Sequence, residues 1–253
     1  MTEEPHVTVA VADGVATLTL NRPDRANVLS AAMIEALDGA IQAADADPAV
    51  RVLVIAAKGR IFSAGHDLAE VRDLPDQAAR EALFARCSAM MQRIAACRVP
   101  VIAKVQGAAV AAGCQLVATC DLAYAAEGAK FGVSGINLGL FCSTPSVALT
   151  RAVAPKQALD LLFTGRLIPA ERAAAIGLVS ATVPAADLDG AVDEAAGLIA
   201  RKPPAAVELG KRLVRDQAGL AVADAYDLAG RRMAENMDLA ETGRLIDGFL
   251  GRS

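Results

Sequence analysis

Two stretches of this sequence hold residue types that could place main-chain donors around a reacting oxygen. The first, Ile61-Phe62-Ser63-Ala64-Gly65-His66-Asp67-Leu68, follows an apolar run directly; its small residues let backbone approach a ligand and leave N–H groups free to point at it. The second, Val105-Gln106-Gly107-Ala108-Ala109-Val110-Ala111-Ala112-Gly113-Cys114-Gln115, reads as a strand running into a helix start. Unpaired N–H groups and the helix dipole at such a start favour a developing negative oxygen. Two such donors converging on one point would form an oxyanion hole. Ordinary tight turns with close backbone packing use the same residues, so both readings stand at this level. Side-chain chemistry is sparse. There are 2 histidines, His6 in an expected frayed terminus and His66 after the Ser63-Ala64-Gly65 turn, so a Ser-His-Asp triad would have to use His66. Gly132-Val133-Ser134-Gly135 misses the G-x-S-x-G elbow by one position, and no P-loop or G-x-G-x-x-G fingerprint follows a strand.

The 5 cysteines, Cys87, Cys97, Cys114, Cys120 and Cys142, form no Cys-x-x-Cys pair and have no histidine cluster nearby. Neither a metal site nor a disulfide framework is expected, and most of these thiols read as small core residues.

Residues 7–11 and 15–20 alternate around Asp13-Gly14, which predicts a β-hairpin. Ser30 reads as the N-cap of a helix carrying Met33, Ile34, Leu37 and Ile41 on one face through Ala44. Residues 50–57 are a buried strand, 58–65 a loop, and 76–97 a helix with Leu83, Cys87, Met90, Met91 and Ile94 inward. A strand at 101–105, a helix beginning near Cys114 and a strand at 122–125 follow. This alternation predicts an α/β fold with parallel pairing and helical crossovers. From Thr144 strands become scarce, with helices expected at 157–163, 169–176, 188–200, 205–217 and 221–236.

Of 253 residues 54% are apolar and 21% charged, enough for a sizeable core and too little polarity for disorder. Lys+Arg 25 against Asp+Glu 29 gives a net charge of -4 with no basic stripe, which argues against nucleic acid as a partner. The most apolar region, 99–126, is interrupted by Lys104, Gln106, Gln115 and Asp121, so no membrane span is expected. Met1-Thr2-Glu3-Glu4-Pro5 carries no targeting signature, and a cytoplasmic location is expected by default.

Several short motifs then fall into one register. Asn21-Arg22-Pro23, Phe62-Ser63-Ala64-Gly65-x-Asp67-Leu68, Gln106-Gly107 to Gly113-Cys114, Cys120-Asp121, and Leu162-Phe163-Thr164-Gly165 to Ala174-x-x-Gly177-Leu178-Val179 together resemble the enoyl-CoA hydratase/isomerase (crotonase) superfamily over nearly the whole chain. The resemblance implies a spiral of ββα units with two roughly perpendicular sheets and a C-terminal helical region. It divides the chain into a core domain, 1–195, and a helical region, 196–253, that drives assembly as a homotrimer or dimer of trimers. It further implies binding of an acyl-CoA or enoyl-CoA thioester, with coenzyme A as part of the substrate and no separate cofactor. Carried onto these residues, the two oxyanion donors are the N–H groups of His66 and Ala112. The His66 imidazole becomes either an acid or base at the pocket or a polar rim residue. Adenine would lie against the Phe62-Ser63-Ala64 backbone and Leu68 beside Asp67, with Arg25 and Ala26 flanking the phosphates or pantetheine.

The sequence departs from the family where its hydratases carry two glutamates, which align with Gln115 and Gly135. Glutamine can hold water but cannot take its proton, and glycine has no side chain. The stretch from Gly135-Ile136-Asn137 to Phe141-Cys142-Ser143-Thr144-Pro145, with Gly113-Cys114-Gln115-Leu116, is most similar to the enoyl-CoA hydratase domain-containing protein 3 subgroup, which shares these replacements. Substitute groups would be His66, Cys142, Ser143 and Asn137, and Phe249 and Arg252 are weaker contact candidates. The functions in view are a hydratase-type enzyme, an acyl-CoA binding or regulatory protein without catalysis, and another enolate chemistry such as isomerisation or thioester hydrolysis. If missing carboxylates alone limit hydration, Gln115→Glu with Gly135→Glu should raise the rate about tenfold or more.

Overall fold

Chain order begins with the hairpin that Asp13-Gly14 predicts. In the computed structural model, which describes residues 4–252, β1 (Val7–Ala12) and β2 (Val15–Leu20) pair antiparallel, Val7 opposite Leu20 and Ala12 opposite Val15. Asp13 and Gly14 both adopt left-handed φ, 50° and 78°, whose twist suits a two-residue hairpin loop. The expected fraying at His6 is corrected. Its carbonyl accepts the Asn21 N–H at 2.8 Å and its Nδ1 lies 3.3 Å from the Arg22 guanidinium, because hairpin pairing continues past Val7. Met1, Thr2 and Glu3 lie outside the described residues, as does Ser253.

Helix α1 (Ala31–Ala46) starts where Ser30 predicts, the Ser30 Oγ accepting the Met33 N–H at 3.2 Å, and it buries Met33, Ile34, Leu37, Ile41 and Ala44. The chain then lays one strand in each of two sheets before each helical excursion. β3 (Val52–Ala57) and β4 (Ile61–Ser63) precede α2 (Leu68–Asp73) and α3 (Gln77–Ala96). β5 (Val101–Val105) and β6 (Ala108–Val110) precede α4 (Ala112–Thr119). β7 (Leu122–Ala126) and β8 (Lys130–Gly132) precede α5 (Ser143–Ala152) and α6 (Pro155–Thr164). After β9 (Ile168–Pro169), α7 (Ala170–Ala175) and β10 (Ala181–Val183), the chain is helical: α8 (Leu188–Ala200), α9 (Pro204–Gln217), α10 (Val222–Met237) and α11 (Ala240–Phe249).

The larger sheet runs β1-β2-β3-β5-β7-β10, parallel from β2 onward, and the smaller runs β4-β6-β8-β9 with only β9 antiparallel. This is the expected ββα spiral with parallel pairing. β3 is buried on both faces. Leu53 and Ile55 enter the main core with α1 and α3, while Val52 and Val54 meet Leu188, Val192 and Ala196 of α8. Each fully buried Leu, Ile or Val of this kind contributes roughly 1.5–3 kcal/mol. The expected boundary between 195 and 196 falls within α8.

Two local expectations shift. The 58–65 loop contains β4, and α4 begins at Ala112, two residues before Cys114, after the short strand β6. Strands of three residues are too short to show an alternation, and alanine carries no helical period. Helices α2, α5 and α11 were likewise not expected from periodicity. Among the described residues no helix is long and apolar enough to cross a membrane.

Candidate active site

The loop after β4 is fixed by its own polar atoms. Ser63 Oγ donates to the Asn27 carbonyl at 2.9 Å and accepts the Gly65 N–H at 3.2 Å. The Ala64 N–H donates to the Ala26 carbonyl, and the Leu29 N–H to the Gly65 carbonyl. Gly65 needs glycine twice over: its φ is 89°, and a Cβ there would lie 2.9 Å from the Ala111 Cβ and 3.0 Å from the Ala112 nitrogen. The next residue, His66, therefore lies close to the start of α4. Asp67 ends the loop by capping α2, accepting from the Ala69 and Glu70 N–H groups.

The second segment is held against the first from the other side. A Cβ on Gly113 would sit 2.3 Å from the Ser63 carbonyl oxygen, so α4 can start here only with glycine. Ala111, at the cap, has φ 51° and ψ -118°, a conformation costing a non-glycine residue about 1–3 kcal/mol. It persists because its N–H donates to the Gly132 carbonyl at 2.8 Å and its carbonyl accepts the Gln115 N–H at 3.0 Å. Among the described residues, neither the His66 N–H nor the Ala112 N–H donates a hydrogen bond.

Both residues line one cavity of about 290 Å³, closed by Leu68 and Val71 of α2, Phe84 of α3, and the segment leading into α5. Its wall is mostly apolar, and no carboxylate is among the described residues that line it. The His66 Nε2 is enclosed without a hydrogen-bond partner among the described residues, and the ring meets Phe84 edge to face at 5.2 Å. Burial lowers the imidazole pKa from 6.5, favouring the neutral ring. Cys142, also in the wall, has its thiol pKa pushed up by burial, an effect partly opposed by the Gly135 N–H.

The candidate residues separate into groups. Ala64, His66, Leu68, Ala112, Gly135, Cys142 and Ser143 are together at the cavity. Gln115 instead lines a second cavity of about 610 Å³ between α3, α4 and α5; it is 5% exposed, and its Oε1 lacks a partner among the described residues. Leaving such an atom unpaired costs about 1–3 kcal/mol. Arg25 pairs with Asp67 at 2.9 Å on the surface, beside the left-handed turn at Ala26. The Phe62 side chain is wholly in the core. Asn137 Nδ2 donates to the Gly165 carbonyl at 3.2 Å, and Phe249 is 89% exposed on α11.

Gly135 is more than a missing carboxylate. A Cβ there would lie 2.4 Å from the Leu140 carbonyl oxygen and 2.9 Å from the Cys142 Sγ, so the 135–142 turn has closed over the position. The expected rescue by Gly135→Glu is corrected on that ground. Sequence reasoning also missed Phe84 and Thr144. Phe84 sits one position off the inward stripe of α3, a lone aromatic at its border, and Thr144 belongs to the walls of both cavities, which no local pattern marks. Cys87, Cys97, Cys114 and Cys142 are buried free thiols, as the composition suggested.

Comparison with known proteins identifies relatives over the same span. A model of the enoyl-CoA hydratase/isomerase family matches residues 10–244. The chain is 42% identical to human mitochondrial enoyl-CoA hydratase domain-containing protein 3 over 239 residues, covering 94% of this chain and 78% of that one. Its structure superposes on an enoyl-CoA hydratase from Mycobacterium smegmatis with TM-score 0.96 and 46% identity, covering 98% and 97% of the two chains. The crystal structure of the human domain-containing protein 3 gives TM-score 0.95 at 39% identity, with 98% of each chain covered. The expected cytoplasmic location is overturned here: the human relative, like its rat counterpart at 40% identity, is named as a mitochondrial protein, and N-terminal composition was no sound basis for a location. The ββα spiral, the motif register and these matches agree that the chain belongs to the enoyl-CoA hydratase/isomerase family, beside the domain-containing protein 3 subgroup.

Proposed function

We propose that this protein is an enzyme that binds an acyl-CoA thioester and holds its carbonyl oxygen, as that atom gains negative charge, on the main-chain N–H groups of His66 and Ala112. The observation that carries the reading is the pair of segments around Gly65 and Gly113. Each is locked against the other, each presents an N–H without a partner among the described residues, and both reach the wall of one largely apolar cavity. Preorganised donors in a dry site are worth about 10²–10³ in rate apiece, because they need no reorientation when charge develops. The strained Ala111 cap fits this role, since it fixes the direction of the next N–H.

Ala64 and Leu68 would meet the coenzyme A portion at the cavity mouth, with Asp67, Ala26 and the Phe62 main chain behind them. Arg25, its side chain 63% exposed although tethered to Asp67, would reach the phosphates. Coenzyme A is here part of the substrate. Self-assembly as a homotrimer or dimer of trimers is supported by α9, α10 and α11, which bury no residue in the single chain yet carry apolar side chains such as Val222, Tyr226 and Met233 outward.

A second reading, binding without turnover, draws on the absence of any carboxylate from the described cavity wall. Calorimetric titration with crotonyl-CoA, run beside the loss of enoyl-thioester absorbance, separates the two. Saturable binding with turnover supports an enzyme, saturable binding without any change of the ligand supports the binder, and no binding contradicts both.

A further inference from the structure

We propose that the His66 imidazole is the proton carrier of this cavity, and that the reaction it serves is reversible removal of the α-hydrogen of an acyl-CoA thioester rather than addition of water. The inference rests on the carbonyl-holding site proposed above and adds the group that moves the proton.

Adding water across a double bond requires one group to take a proton from water and another to deliver one to carbon. Gly135 cannot supply either, because the Leu140 carbonyl and the Cys142 sulfur occupy the space a side chain would need. Gln115 lines the neighbouring cavity and cannot take a proton at ordinary pH. Among the described residues of the cavity wall, only His66 and Cys142 can titrate. The thiol is held protonated by its burial, whereas the imidazole is held neutral by its own, so near neutrality the ring is the one titratable group of the described wall that carries an unprotonated atom. No hydrogen bond among the described residues ties down the His66 ring: Nε2 is closed off without a partner, Phe84 meets the ring edge to face, and Nδ1 is the ring nitrogen left to reach a ligand. Charged groups on adjoining elements are engaged elsewhere. Asp67 caps α2 and pairs with Arg25, Glu70 accepts the Ala31 N–H, and Arg80 of α3 donates to the Val71 and Leu74 carbonyls.

The residue that offers its N–H to the carbonyl oxygen thus carries the base on its own side chain, and the α-carbon is bonded directly to that carbonyl. In the step, the α-C–H bond breaks, its electron pair moves through the carbonyl to oxygen as an enolate, and the proton forms an N–H bond on the ring. Return of a proton to the α-carbon, or to the γ-carbon of an unsaturated chain, restores the neutral ring. The substrate class is therefore a saturated or β,γ-unsaturated acyl-CoA bearing an α-hydrogen, and no further reactant is needed.

The test is hydrogen exchange into butyryl-CoA, which has no double bond to hydrate, in D2O, read as mass gain and loss of the α-proton resonance. The wild-type protein is expected to catalyse exchange with a rate level above about pH 7 and falling below about pH 6.5, as the ring becomes protonated. His66→Gln, which keeps the main-chain N–H, is expected to bind butyryl-CoA but lose about 10²-fold or more in exchange. His66→Asn serves if the glutamine variant does not fold, and the wild-type pH profile decides if neither does. Binding with undiminished exchange in these variants overturns the inference alone. So does a wild-type rate that climbs with thiol ionisation and vanishes in Cys142→Ser, or binding without any exchange. Failure of butyryl-CoA to bind at all overturns the carbonyl-holding site itself and the inference with it.

Discussion

At single positions, what decides the chemistry is the space around a residue as much as its type. Gly135 was legible in the sequence as a missing carboxylate, but not as a position filled by its neighbours, because the Leu140 carbonyl and Cys142 sulfur reach it through loop packing that leaves no pattern in the chain. Gly135→Ala is expected to destabilise the protein by about 1–3 kcal/mol in denaturant melts, the usual cost of overpacking, unless the 135–142 turn moves. Gln115→Glu with Gly135→Glu should then give no gain in crotonyl-CoA hydration, and a tenfold rise would show that the turn opens freely. His66 was legible as an unusual residue after the Ala64-Gly65 turn. Its contact with Phe84 and its empty Nε2 were not, since both depend on how α3 is laid beside α2.

The elements themselves divide by how much local chemistry writes them. Asp13-Gly14 and Ser30 each specify a turn or a cap through their own atoms, and the hairpin and α1 form where those residues predict; Asp76 caps α3 in the same way, accepting the Ala79 N–H, within the expected 76–97 helix. β4, β6 and β8 are built from three residues each and are strands only because the second sheet exists to pair with them. The helix start at Ala112 belongs to the same class: the strained cap at Ala111 is imposed by the Gly132 carbonyl and the Gln115 N–H, both fixed by tertiary packing. Ala111→Gly removes that strain and adds flexibility to the unfolded chain, terms of about 1–3 and 0.4–1 kcal/mol. Its melting temperature should match or exceed that of the parent. Ala111→Val, branched at a position of positive φ, should melt well below both, and equal stability of the two variants would contradict the assignment of strain.

Across the whole molecule, the two-sheet spiral was legible through the order of several short motifs rather than through any one of them, and the location was not legible at all. Helices α9 to α11 bury no residue within the described chain and leave Val214, Val222, Tyr226 and Met233 exposed, which is why an assembly is proposed. Tyr226→Asp with Met233→Glu, both on α10 and both mostly exposed, should reduce the mass seen by light scattering from a multiple of three chains to one. A wild-type protein that is already monomeric would remove that part of the account. Catalytic geometry is a separate question, because His66 and Ala112 belong to one chain and one cavity. The most direct test is therefore the infrared spectrum of crotonyl-CoA carrying ¹³C at the thioester carbonyl. When the ligand is bound, the carbonyl stretch should fall below its value in water, as two fixed N–H donors polarise the bond; a bound carbonyl whose stretch is unmoved, or lies higher, would contradict the proposed site.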